Sequence, residues 1–203
     1  MPTYIGIDQS KQCTGWALWN DEWPTLRHGY FSVGSEYATE GQTYMAMHKK
    51  LNDIYKVEPF DHCYFEEPIS PGHLTGNTTA QTIWMLAGIA AHVQSFAAAK
   101  RCRIVRAVNV EHWRKDFIGR MVVNEIRAGV RRARKGGDKK ASATGDLKKL
   151  TVQRAFQLGF NVRKNDEADA IGILTYSLLL AGVTPPWMAA EPLRPTLSLE
   201  STS

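Results

Sequence analysis

Four carboxylates stand where an apolar run of this sequence ends or begins. Asp8 closes Tyr4-Ile5-Gly6-Ile7, Glu66 closes Cys63-Tyr64-Phe65, and Asp166 and Asp169 open the last long apolar stretch. At i and i+3, the last two project from the same side of a helix's first turn. A carboxylate buried alone is costly, and acids brought together repel one another. Hard divalent cations, which take carboxylate oxygens, relieve both penalties at once. Two such ions a few ångströms apart can activate a water and stabilise the leaving oxygen of a phosphodiester. Each acid taken singly has an ordinary reading. Asp8 could satisfy backbone donors of the turn at Gln9-Ser10, Asp166 could cap a helix, and Asp169 could sit in the favourable field of its first turn. Jointly, their order and the nearby Gly6 and Gly15 point to metal-dependent phosphodiester chemistry.

A second feature agrees. Between Arg120 and Arg154 lie eleven Lys/Arg against three acids, whereas the 203-residue chain carries a net charge of only +5. The molecule is thus a mildly acidic body bearing one basic stretch, a ready footprint for a phosphate backbone. By itself such a stretch could equally be a solvated loop.

The elements that must position these groups follow from periodicity. Tyr4–Asp8, Thr14–Trp19 and Leu26–Val33 read as consecutive antiparallel strands, with Asn20 to Pro24 as a turn. Thr39–Tyr55 has helical spacing, and His62–Glu66 is a strand stopped by Pro68. Asn77 or Thr78 is expected to cap an Ala-rich helix to about Lys100. A fifth strand, Arg103–Val108, precedes a short helix, Val110–Phe117, ended by Gly119. The basic stretch is expected to be helical over Val122–Ala133 with a mobile tip. Asp146 is expected to cap a helix over Leu147–Leu158, stopped by Gly159, and a last helix runs from about Asp166 to Ala181. These elements describe an α/β domain over residues 1–182, with a basic insertion at about 121–146 and a Pro- and Ser-containing tail over 183–203. No uninterrupted apolar run reaches the roughly 18 residues of a membrane span, and the N-terminus does not read as a secretory signal. Three scattered cysteines fit neither a disulfide framework nor a zinc site, so a reduced, cytoplasmic setting is expected.

Ile5-Gly6-Ile7-Asp8-Gln9-Ser10 followed by Thr14-Gly15-Trp16-Ala17 resembles the opening of the RuvC-type Holliday-junction resolvases. Tyr64-Phe65-Glu66-Glu67 is similar to that family's second motif. Asn165-Asp166-Glu167-Ala168-Asp169-Ala170-Ile171-Gly172 is similar to its final Asp-x-x-Asp-Ala motif. The resemblance spans roughly Thr3 to Leu180 in element order. It implies a ribonuclease-H-like fold, with a five-stranded mixed sheet and helices on both faces. It also implies a homodimer that makes paired nicks in four-way DNA junctions, with two Mg²⁺ or Mn²⁺ ions per active site. Asp8, Glu66, Asp166 and Asp169 become the catalytic metal ligands. Pleating sends neighbouring strand residues to opposite faces, so only one of Glu66 and Glu67 is expected to reach the metals, and Glu66 is preferred because the family's Glu directly follows the apolar strand. Lys149, beside Lys148, matches a basic residue that contacts the scissile backbone, and Arg114 matches another ahead of a Gly. Arg131, Arg132, Arg134 and Lys135 are expected to add DNA contacts.

Two departures stand out. The loop Pro68–Asn77 has Ile69 and Leu74 but none of the family's aromatics, and the basic stretch is longer than expected. Other readings remain open: a nuclease of the same fold acting on other branched DNA or on an RNA–DNA hybrid, an actin-like nucleotide binder, and a non-catalytic junction-binding module.

Overall fold

The structure is a computed structural model that describes residues 1–68 and 79–189. Its centre is a five-stranded sheet: β1 (Tyr4–Asp8), β2 (Thr14–Trp19), β3 (Arg27–Phe31), β4 (His62–Glu66) and β5 (Ile104–Val108), in the order β3-β2-β1-β4-β5. The first three are antiparallel neighbours, whereas β4 pairs parallel with β1 and with β5. This is the mixed sheet that the sequence implied. β3 is shorter than expected: its ladder with β2 runs from Arg27 to Phe31, and Leu26 and Val33 are buried just outside it.

Period-2 alternation gives each strand two apolar faces, so both are covered. Ile5, Ile7, Leu18, Cys63 and Phe65 pack against α1 (Glu40–Val57) and α2 (Ala80–Ala99), through Met47, Leu51, Ile89 and Val93. Tyr4, Ala17, Trp19 and Tyr64 pack on the other face against α6 (Asn165–Leu180), with Ile171, Leu174 and Leu178 beneath them. α3 (Val110–Ile118) and α5 (Thr144–Gln157) pack on α6, and α4 (Arg120–Lys135) packs on α3 and α5 through Val123, Ile118, Leu147 and Leu150.

Several helix ends differ from expectation for local reasons. Thr79 caps α2, its side chain accepting from the Thr82 N–H, rather than Asn77 or Thr78, which lie outside the described residues. Asp146 does not cap α5. The helix starts three residues earlier than expected, after Ala143, with the Ser142 hydroxyl accepting from the Thr144 N–H, and Asp146 falls in the first turn. Asp166 is likewise inside α6 rather than at its cap, which is Lys164. Gly119, at φ +116°, lets the chain leave α3 and enter α4 directly. The basic stretch is regular helix over Arg120–Lys135, longer at each end than the periodicity suggested.

The start of the expected tail packs on the body. In α7 (Pro186–Ala189), buried Trp187 meets Trp19 and Phe160 edge-on and donates its indole N–H to Thr175 Oγ1. Residues 190–203 lie outside the described residues. α2 is long and apolar enough to cross a membrane by length and composition, and its inner face lies against α1 and the sheet.

Candidate active site

The acids gather because the sheet and α6 share two glycines. A side chain at Gly6 would meet the Ala170 carbonyl and Leu174 at 2.8 Å. One at Gly15 would lie 1.8 Å from the Asp166 carbonyl oxygen. The first turns of α6 therefore rest on bare backbone of β1 and β2, which brings Asp166 and Asp169 down to the strand ends. Pleating supplies the other two: Asp8 has the parity of Tyr4 and Gly6, and Glu66 that of Tyr64, all on the α6 face. The β1–β4 register ends at Ile7 beside Phe65, and one step on sets Asp8 beside Glu66.

The turn after β1 does not use Asp8. The Ser10 N–H donates to Thr14 Oγ1, the Thr14 hydroxyl to the Ser10 carbonyl, and the Ser10 hydroxyl to the Cys13 carbonyl. Asp8 is left facing like charges. Its carboxyl is held well above the usual carboxylate range by burial, and further by Glu66, Asp169 and Asp166. Burial and then Asp169 push Glu66 up to about 7. Asp169 is 3% exposed and raised mainly by burial, against the pull of Arg114 and Lys148. Beside them, the Cys13 thiol is pushed up to about 12 by burial and its contact with Asp166.

The pleat also separates the two glutamates. Glu66 Oε2 accepts the Trp113 indole N–H at 3.2 Å, whereas Glu67 is exposed at the strand's end and accepts from the Asn109 amide. Trp113 is fully buried against Gly172 of α6, where nothing larger than glycine would fit without displacing its ring. The next residue, Arg114, binds Asp169 Oδ2 through Nη2 at 3.0 Å, with its own side chain only 11% exposed. Thus α3 grips two of the four acids with adjacent residues.

The expected DNA contacts fall in different places. Arg114 is inside the carboxylate cluster. Lys148 is half-buried, and its charge acts on Asp8, Glu66 and Asp169, whereas Lys149, one helical step round, is exposed. Arg131, Arg132, Arg134 and Lys135 are exposed on the C-terminal half of α4, with Arg134 Nε donating to the Ala141 carbonyl. The loop from Ile69 to Asn77 lies outside the described residues. Sequence reasoning missed Trp113, because a tryptophan four residues before Phe117 on a short helix reads as plain core.

Among the described residues, no three His, Cys, Asp or Glu side chains stand as a ready metal cluster. Protein donors instead occupy one oxygen each of Glu66 and Asp169. Asp169 Oδ1 stays buried with no hydrogen-bond partner. A buried, unpartnered carboxylate oxygen amid like-charged acids is a donor set that suits Mg²⁺ or Mn²⁺.

A pH dependence follows for the metal-free protein. Carboxyls raised in the folded state keep protons that the unfolded chain releases above about pH 4. Their contribution is therefore fully present in acid and is lost as pH rises through the folded value, about 7 for Glu66. Melting temperatures in EDTA should fall across this window, and saturating Mg²⁺ should restore stability most at its upper end. A flat EDTA profile would contradict the assigned cluster.

No family model and no curated protein matches the chain. Several solved structures match its fold, two of them RuvC structures. T. thermophilus RuvC in complex with a Holliday junction substrate aligns with TM-score 0.56 at 11% identity, over 97% of this chain and 100% of its own. A Thermus thermophilus RuvC structure aligns with TM-score 0.54 at 13% identity, over 96% and 99%. The architecture is that of RuvC, the ribonuclease-H-like fold implied by the three motifs.

Proposed function

We propose that this chain is a metal-dependent, structure-specific endodeoxyribonuclease that resolves four-way DNA junctions by paired nicks as a homodimer. The observation that carries it is the meeting of Asp8, Glu66, Asp166 and Asp169 at one end of a RuvC-type sheet. That one neighbour was solved on a Holliday junction supports branched DNA as the substrate.

Asp8, Glu66, Asp166 and Asp169 would hold two Mg²⁺ or Mn²⁺ ions, which when bound supply an activated water and charge stabilisation for the leaving oxygen. The remaining work belongs to the chain. Trp113 and Arg114 orient Glu66 and Asp169, leaving their other oxygens for the ions. Lys148 sets a positive charge beside the acids, where it can hold a phosphate in line. Lys149 and the outer face of α4 add backbone contacts. The free cysteines suit a cytoplasmic setting.

The test is a labelled four-way junction incubated with and without Mg²⁺, beside a replication fork, a linear duplex and an RNA–DNA hybrid. Symmetrical nicks confined to the junction support the reading. Cutting of the hybrid or fork alone would move the substrate, and no cutting with intact junction binding would leave a binding module. Changing Arg131, Arg132, Arg134 and Lys135 together to Gln should weaken DNA binding and flatten its salt dependence. Removing one cation–phosphate pair lowers the log–log slope by about 0.9. An unchanged slope in a salt titration would remove α4 from the interface.

A further inference from the structure

The row of residues that ends in Asp8 continues across the sheet. Asp8 pairs with Gly15 of β2, and Gly15 with Tyr30 of β3. Strands lie about 4.8 Å apart, so Tyr30 stands about 10 Å from Asp8 along the sheet. Parity puts Tyr30 on the α6 face, together with His28, whose Nδ1 lies 3.3 Å from Glu167 of α6 and whose ring meets Phe160 edge-on.

Tyr30 is 42% exposed on an edge strand. Lys164, the residue just before α6, places its ammonium over that ring, 5.8 Å from its centre. Tyr30, His28, Asn161 and Arg163 line an open cavity of about 330 Å³. Its acidic wall, Glu167, is 3% exposed, lies against His28 and accepts the Arg163 backbone N–H at 3.1 Å, so its oxygens are largely withdrawn from solvent. The accessible surface is therefore an aromatic face flanked by the exposed side chains of Arg163 and Lys164. Such a surface complements one ligand chemistry closely: a base to stack on the ring, with phosphates on either side for the cations.

We infer that Tyr30, Lys164 and Arg163 form a subsite for one unstacked nucleotide of the DNA strand that passes the carboxylate cluster. Tyr30 stacks on the base, and the two cations hold the adjoining phosphates. The inference rests on the nuclease reading and deepens it. It assigns base contact to the edge strand, in a chain whose 68–77 segment has no Phe, Tyr or Trp.

The experiment uses the full chain in Ca²⁺ and four-way junctions carrying 2-aminopurine at successive positions around the crossover. Wild type should change the fluorescence of one position. Tyr30→Ala should abolish that change and weaken binding about tenfold, the scale of one base–aromatic stack. Tyr30→Phe should retain both, which separates stacking from folding and from the hydroxyl. Lys164→Gln with Arg163→Gln should lower the salt slope by about 1.5 to 2 while leaving the fluorescence change in place. Tyr30→Ala that binds and reports like wild type overturns the subsite, and the nuclease reading survives if wild type still nicks in Mg²⁺. Wild type that binds no branched DNA overturns both.

Discussion

Asp8→Asn should abolish nicking while leaving junction binding intact or tighter. Asp8 ends the central strand of the sheet, and the charges of Glu66, Asp166 and Asp169 all bear on it. The amide keeps the shape of the carboxylate but removes the charge that would hold a divalent ion. Metal-derived charge stabilisation contributes several kcal/mol to phosphoryl transfer, so a single-turnover rate should fall about a thousandfold or more. Binding should not suffer, since one negative charge facing the phosphates is gone. The metal-free variant should also melt higher than wild type near pH 8, because burial and like charges disfavour the ionised Asp8. Single-turnover nicking in Mg²⁺, binding in Ca²⁺ and a melt in EDTA check the three parts. Normal cutting by Asp8→Asn would remove the carboxylate cluster from the chemistry.

Gly15→Ala should damage the same site without touching a charged group. The new methyl would lie 1.8 Å from the Asp166 carbonyl oxygen and 2.2 Å from its carbon. Both are backbone atoms of α6, so the helix start itself must retreat. Overpacking of this kind costs about 1–3 kcal/mol. In a domain of this size each kcal/mol lowers the melting temperature by about 2–4 °C. The loss of activity should be larger than that stability loss implies. Asp166 and Asp169 ride on the displaced turn, and a misplacement of about 1 Å at a catalytic centre can cost about a hundredfold. A melt and a single-turnover rate measured under conditions where the variant is fully folded separate the two effects. Unchanged values for both would mean that the Gly15–α6 approach does not position the acids.

Much of this could be read along the chain. Asp8, Glu66, Asp166 and Asp169 announced themselves because each interrupts a period of apolar residues, and the strand or helix that carries each is set by that period. That Glu66 and Glu67 must face opposite ways was legible for the same reason, since alternation along β4 depends only on neighbouring residues, while the choice of Glu66 came from the motif it resembles. Helix caps were read less well. Asp146 and Asp166 have good capping chemistry, yet α5 and α6 start upstream of them, because Leu147, Leu150 and Ala170, Leu174 lock the helices in register with the core.

Arg114 and Lys148 show where local reading stops. As sequence, both are ordinary basic residues, and the family resemblance singles out Lys149, whereas it is Lys148 whose charge acts on the acids. Which of two adjacent lysines turns inward depends on the rotation of α5 against α6, and neither helix encodes that rotation alone. Trp113 beside Glu66, and Tyr30 in line with Asp8, depend on partners 47 residues away and two strands over. The chain's own pattern determined the elements, their order and the acids at their ends, because these follow from periods of two and about 3.6 residues. Tertiary structure alone decided which cations and rings meet those acids, because contacts between distant segments are set by strand register and helix packing.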